Sequence, residues 1–94
     1  KVGGIRMEKH IDELLEAGKR EEAIRELEDY MREYPDEKRL MQLAELLYAA
    51  GRMTEARNKF NAVLRLNAGN QKADNYVKMI DGILNYYNKD LLNP

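Results

Sequence analysis

One imidazole stands in the sequence, His10, with Asp12 and Glu13 just after it. Beside carboxylates, a histidine can shuttle protons or ligate a metal. Either role needs further groups, and the chain withholds them. It has no cysteine and no serine, and Thr54 is the lone threonine. Nucleophile-and-base pairs built from Ser, Thr or Cys with His are therefore almost out of reach. A thiolate zinc site is out of reach altogether. His10 is read as a packing or surface histidine, with no metal and no cofactor. Asp12 and Glu45 remain as a formal acid–base pair, but nothing beside them in the sequence suggests a substrate site. No catalytic residue is assigned, and the expectation is a non-enzyme.

Charge narrows the function classes further. The chain has 94 residues, with 16 basic and 17 acidic, a net of −1. The balance hides a polarity. Glu8 to Glu37 holds 12 acidic and 5 basic residues, net −7, while residues 38 to 94 hold 5 acidic and 9 basic, net +4. The basic residues from Lys38 to Lys89 are scattered among acids, which speaks against nucleic acid. No apolar run is long enough to span a bilayer, and no signal peptide is apparent, so a soluble, cytoplasmic protein is expected. At this length one small domain is expected, burying roughly 60–65% of its unfolded surface.

The elements follow from apolar spacing at helical period. Met7, Ile11, Leu14 and Leu15 mark a first helix, stopped at Gly18. Ala23, Ile24, Leu27, Tyr30, Met31 and Tyr34 mark a second, closed by Pro35. Glu21–Arg25 and Glu28–Arg32 on its surface are i,i+4 pairs in the favourable order. Leu40, Leu43, Ala44 and Leu47 mark a third, ending at Gly51. Ala56, Phe60, Val63 and Leu64 mark a fourth, ending in the turn Asn67 to Asn70. Ala73, Tyr76, Val77, Ile80, Ile83 or Leu84, and Tyr87 mark a fifth, to about Lys89. No strand is apparent. The fold class is all-α: five helices in antiparallel hairpins joined by short loops.

A seven-residue phrase ties the helices together. AGKREEA at Ala17 to Ala23 returns as AGRMTEA at Ala50 to Ala56, 33 residues later. Each copy falls at a helix–helix corner, where glycine permits a left-handed turn and the alanine allows close packing. A 33-residue interval holding two helices is the mark of a helical repeat.

These residues resemble the tetratricopeptide repeats, from Met7 to about Tyr87. The family's corner glycine falls on Gly18 and Gly51, its small second-helix residue on Ala23 and Ala56, and the bulky residue a turn later on Leu27 and Phe60. Its closing proline falls on Pro35, with Ala68 as the counterpart. The small first-helix residue matches Ala44, whereas repeat one has Ile11, which should hold its two helices slightly farther apart. The interval is one residue short of the usual, absorbed at Pro35 to Glu37. The resemblance implies an α-α superhelix: a lead-in over 1–6, disordered or non-native, with Met7 a sensible start; repeats over 7–35 and 37–68; a capping helix over 71–89; and a tail over 90–94. The ending NYYNKDLLNP resembles that of short free-standing bacterial members. The polar outward faces of the end helices suggest an array complete in itself.

The resemblance also implies a function: binding a peptide or helix of another protein on the concave face. The matching positions are Glu8, Asp12 and Leu15, then Met41, Glu45 and Tyr48, then Asn75, Met79 and Gly82. Met41 and Tyr48 lie off the main apolar stripe. One reading makes them padding at the edge of the core, the other an adaptable contact surface. Glu8, Asp12 and Glu45 are either a plain solvated face or an acidic groove for a basic and apolar partner. Gly82 is either tolerated or leaves room on the groove floor. Members that clamp a chaperone's C-terminal carboxylate use Lys and Asn, but Glu8, Asp12, Gln42 and Tyr76 occupy those sites, with only Lys72 suitable. The clamp is rejected. The alternative function is self-assembly as a homodimer, through the last helix and the apolar tail of Tyr86, Tyr87, Leu91 and Leu92.

Overall fold

A computed structural model describes the backbone of residues 2–92 and the side chains of residues 6–86. Five α-helices follow in order: α1 Val2–Glu16, α2 Arg20–Glu33, α3 Glu37–Ala49, α4 Met53–Leu66 and α5 Gln71–Leu92. No strand occurs among the described residues. The chain divides into two compact units, Lys1–Pro35 and Asp36–Pro94. The first is the hairpin α1–α2; in the second, α3 and α5 both pack on α4.

The repeated phrase is a repeated hydrogen-bonded corner. Gly18 and Gly51 have φ of +75° and +79°, and they alone among the described residues have positive φ. After α1, Gly18 N–H donates to the Leu15 carbonyl at 3.1 Å and Lys19 N–H to Leu14 at 2.8 Å. After α3, Gly51 N–H donates to Tyr48 at 3.0 Å and Arg52 N–H to Leu47 at 2.9 Å. Both are Schellman closures, which satisfy the last carbonyls of the finished helix. The next helix starts at once, and the Ala23 and Ala56 amides donate to the carbonyls of Lys19 and Arg52. Both alanines are completely buried.

The remaining positions of the phrase have work of their own. Arg52 holds Glu55 with two hydrogen bonds, Nε to Oε1 at 2.8 Å and Nη2 to Oε2 at 2.6 Å. That bond to Arg52 is the main reason the Glu55 carboxyl lies below its usual range. A glutamate in the first turn also complements the positive end of the helix. In the second copy, then, the basic residue and the glutamate three positions later form one unit.

Helices α3 and α5 begin differently, on capping side chains. Asp36 accepts from the Arg39 amide at 3.0 Å, and Asn70 accepts from the Ala73 amide at 2.9 Å. Each such cap contributes about 1 kcal/mol. In the turn before α5, Asn67 Oδ1 accepts from the Gly69 amide at 3.0 Å. Glu37 ties that turn to the start of α3. Its Oε2 accepts from Asn67 Nδ2 at 2.9 Å and Asn70 Nδ2 at 2.7 Å.

Burial follows the apolar stripes. In the first unit Ile11, Leu14, Ala23, Ile24, Leu27 and Met31 are buried; in the second, Leu40, Leu43, Ala44, Leu47, Ala56, Phe60, Val63, Ala73 and Ile80. Phe60 is the largest side chain with essentially no exposure. Ile11 is completely buried and, bulkier than Ala44, stands where repeat two has that small residue. On α2, Arg32 pairs with Asp29, three residues before it. Helix α5 keeps the apolar stripe of α3: at the 33-residue interval Leu40, Leu43, Ala44 and Leu47 correspond to Ala73, Tyr76, Val77 and Ile80, and the charged Asp74, Lys78 and Asp81 lie beside it. Asp74 pairs with Lys78 at 2.9 Å, and Asp81 receives Arg57 Nε from α4 at 2.5 Å.

Two boundaries differ from the expected ones. Helix α1 starts at Val2, not Met7, so residues 2–6 of the expected lead-in are helical. Once the later turns exist, each added residue gains a backbone bond, which offsets the roughly 1 kcal/mol cost of each of Gly3 and Gly4. Helix α5 runs to Leu92, into the expected tail, because no breaker precedes Pro94. The side chains of Tyr87, Leu91 and Leu92 lie outside the described residues.

Two glycines should answer one substitution with opposite signs. An added Cβ at Gly51 or Gly82 meets nothing within 4 Å. At Gly51 the cost is the left-handed backbone, so Gly51→Ala should lose about 1–2 kcal/mol. Gly82 is helical, so Gly82→Ala should gain about 0.5–1 kcal/mol. Chemical denaturation of both variants checks the pair.

Candidate functional site

The side chains of α3 and α5 meet over the buried ring of Phe60. Tyr76 on α5 stacks on that ring, centroids 4.3 Å apart and planes 9° from parallel. Tyr48 on α3 meets Tyr76 edge to face at 5.2 Å and 69°. Such ring pairs stabilise by about 0.5–1.5 kcal/mol beyond the area they bury. The phenolic end of Tyr76 points away from this packing and donates to Glu45 Oε2 at 3.2 Å. The same oxygen receives Lys72 Nζ at 3.0 Å. Burial is the largest cause that raises the Tyr76 hydroxyl pKa, followed by the Glu45 charge. The Lys72 ammonium is likewise held charged above its usual range, chiefly by its hydrogen bond to Glu45.

Helical spacing places the other expected residues around this cluster. Met41 precedes Glu45 by one turn of α3 and is half-buried. On α5, Asn75 is exposed and Met79 follows it one turn on, with 48% of its surface exposed. Of the expected groove positions, Glu45 and Tyr48 are brought together, through Tyr76. Met41, Asn75 and Met79 lie on the same two helices. Glu8 and Asp12 belong to the first unit, Glu8 half-buried and Asp12 exposed. Gly82 faces open space.

Sequence reasoning did not give Lys72 and Tyr76 their part in this cluster. Tyr76 lies on the apolar stripe of α5, so its ring reads as core, and nothing in the stripe shows that its hydroxyl reaches α3. Lys72 sits one turn before Tyr76, and that spacing was the available signal.

The lone histidine has a partner that local sequence does not show. His10 Nε2 lies 2.6 Å from Glu26 Oε2, across the α1–α2 hairpin, instead of turning to Asp12 or Glu13. That hydrogen bond is the first cause that raises the imidazole pKa above 6.5; desolvation opposes it, and the charges of Glu26, Glu13 and Glu22 add to it. Among the described residues no group of three or more His, Cys, Asp or Glu is placed to hold a metal ion. None of the described helices is long and apolar enough to cross a membrane.

Paired helices closed by the same glycine corner define a helical-repeat protein. Comparison with known proteins agrees: the tetratricopeptide repeat family model matches residues 14–76, more than half of the chain. The chain belongs to the tetratricopeptide repeat family. No curated protein matches it, and no solved structure does. Repeats of this family generally mediate protein–protein interaction, and their modules are typically non-enzymatic.

The His10 pair sets a pH dependence. A histidine whose pKa is raised by folding stabilises fully below its unfolded value of 6.5, and that contribution disappears as pH rises through the higher folded value. Denaturation midpoints should therefore contain a component that falls above pH 6.5. Glu26→Gln should flatten it, and titration of the His10 ring by NMR should show its pKa returning toward 6.5.

Proposed function

We propose that the second unit binds a segment of another protein along the surface shared by α3 and α5. The observation that carries this reading is the meeting of Tyr48, Glu45, Lys72 and Tyr76 above Phe60. The rings and the carboxylate are fixed on helices, with Met41 and Met79 beside them as adaptable apolar contacts. Rigid aromatic groups next to flexible thioethers suit a protein ligand, since tyrosine brings large contact area at little cost in entropy. The Glu45 carboxylate favours a basic and apolar partner. Nucleic acid fits this site poorly, because a carboxylate lies at its centre. The chain acts as an interaction module, not an enzyme, in the cytoplasm.

Alanine at both Met41 and Tyr48 tests the reading. A protein retained by the wild type from a lysate of the source cells should be lost with Met41→Ala/Tyr48→Ala, at unchanged helical circular dichroism. With the partner purified, affinity should drop about tenfold or more, equivalent to about 1.4 kcal/mol. Binding that survives the double substitution overturns the assignment. The competing reading, a homodimer through the last helix, draws on Tyr86, 65% exposed on α5. It requires a mass that rises with concentration in light scattering and falls on truncation after Lys89. A constant monomer mass at high micromolar concentration removes it.

A further inference from the structure

The two oxygens of Glu45 are in different circumstances. Oε2 accepts from both Lys72 and Tyr76. Oε1 has no protein donor among the described residues, and the side chain is 34% exposed. The cation now paired with the carboxylate is loosely held. Lys72 is 67% exposed, and its single ammonium sits on a flexible four-carbon stem. An exposed pair of this kind adds little to stability and gives up little when it opens.

A planar guanidinium suits the carboxylate better than an ammonium does. It presents two parallel N–H groups that can serve both oxygens together, and its face packs well on an aromatic ring. Tyr48, one turn after Glu45 on α3 and half-buried, supplies a ring beside it, while the Tyr76 ring is engaged by Phe60 and Tyr48. We infer, resting on the interaction surface proposed above, that Glu45 is the docking point for an arginine of the partner, whose guanidinium takes both carboxylate oxygens and releases Lys72 to solvent. Lys72 is then a placeholder that keeps Glu45 paired while the surface is empty. A partner lysine exchanges one ammonium for another and gains little, so the site selects arginine over lysine. An acidic segment meets Glu45 and is turned away. The fitting segment carries an arginine with an apolar residue about one helical turn away, within reach of Met41 or Met79.

The inference can be tested without the partner. N-acetyl-arginine methylamide is titrated into the full chain, with the lysine analogue and the neutral citrulline analogue as controls. The Glu45 carboxyl carbon and the Lys72 Cε are followed by NMR. The arginine probe should shift both signals saturably, with a Kd on the order of millimolar, and the citrulline probe should shift neither. Lys72→Met keeps the stem, removes the competing charge, and should tighten arginine binding by about threefold or more. Glu45→Gln should abolish it. Equal shifts from arginine and citrulline, or affinity unchanged or weakened by Lys72→Met, overturn the inference. The broader surface is judged separately. If Met41→Ala/Tyr48→Ala still removes the partner while the arginine probe fails, the surface stands and the arginine site falls.

Discussion

At the two repeated corners the chain reverses within three residues by briefly taking a left-handed backbone, at Gly18 and Gly51. Any side chain there would oppose the turn by about 1–2 kcal/mol. The following helix begins on the backbone bonds of that closure, and its first fully buried residue, Ala23 or Ala56, carries one methyl. Direction of the returning helix and closeness of approach are thus set together. Helices α3 and α5 begin on Asp36 and Asn70 instead, after turns with no positive φ. The architecture alternates glycine corners with side-chain caps.

Tyr76 joins the interior to the surface. Its ring lies flat on Phe60 and its hydroxyl reaches Glu45, so one residue belongs to the packing and to the candidate site. Glu45 and Tyr48 are one turn apart on α3, and Lys72 and Tyr76 are one turn apart on α5. Both helices rest on α4. The polar groups of this cluster are therefore anchored on regular structure, and groups held in that way need little further ordering in any contact they make.

The helices and corners were legible in the sequence because each is local: a stripe of apolar residues, a glycine, a repeated phrase. Leu43, Leu47, Ile24, Leu27, Val63 and Ile80 are buried, as their spacing predicts. Contacts between side chains far apart in the chain were not legible. Nothing in the pattern pairs Glu37 with Asn67 and Asn70, His10 with Glu26, or Tyr76 with Glu45. Each such contact depends on where one helix places a polar atom against another, and polar surface residues obey no strict period. Helix ends were legible only where a breaker marks them. Gly18 and Gly51 did so, whereas Val2 and Leu92 have no such mark.

Helix α5 flanks its apolar stripe with charge. Asp74 pairs with Lys78, and Asp81 receives Arg57 of α4, while Ala73 and Ile80 are buried. Pressing such groups against apolar side chains would strip water from them without replacing it. The charges thus act as a fence along the stripe: a roll of α5 on α4 would carry them into the interior, so the helix has one seat.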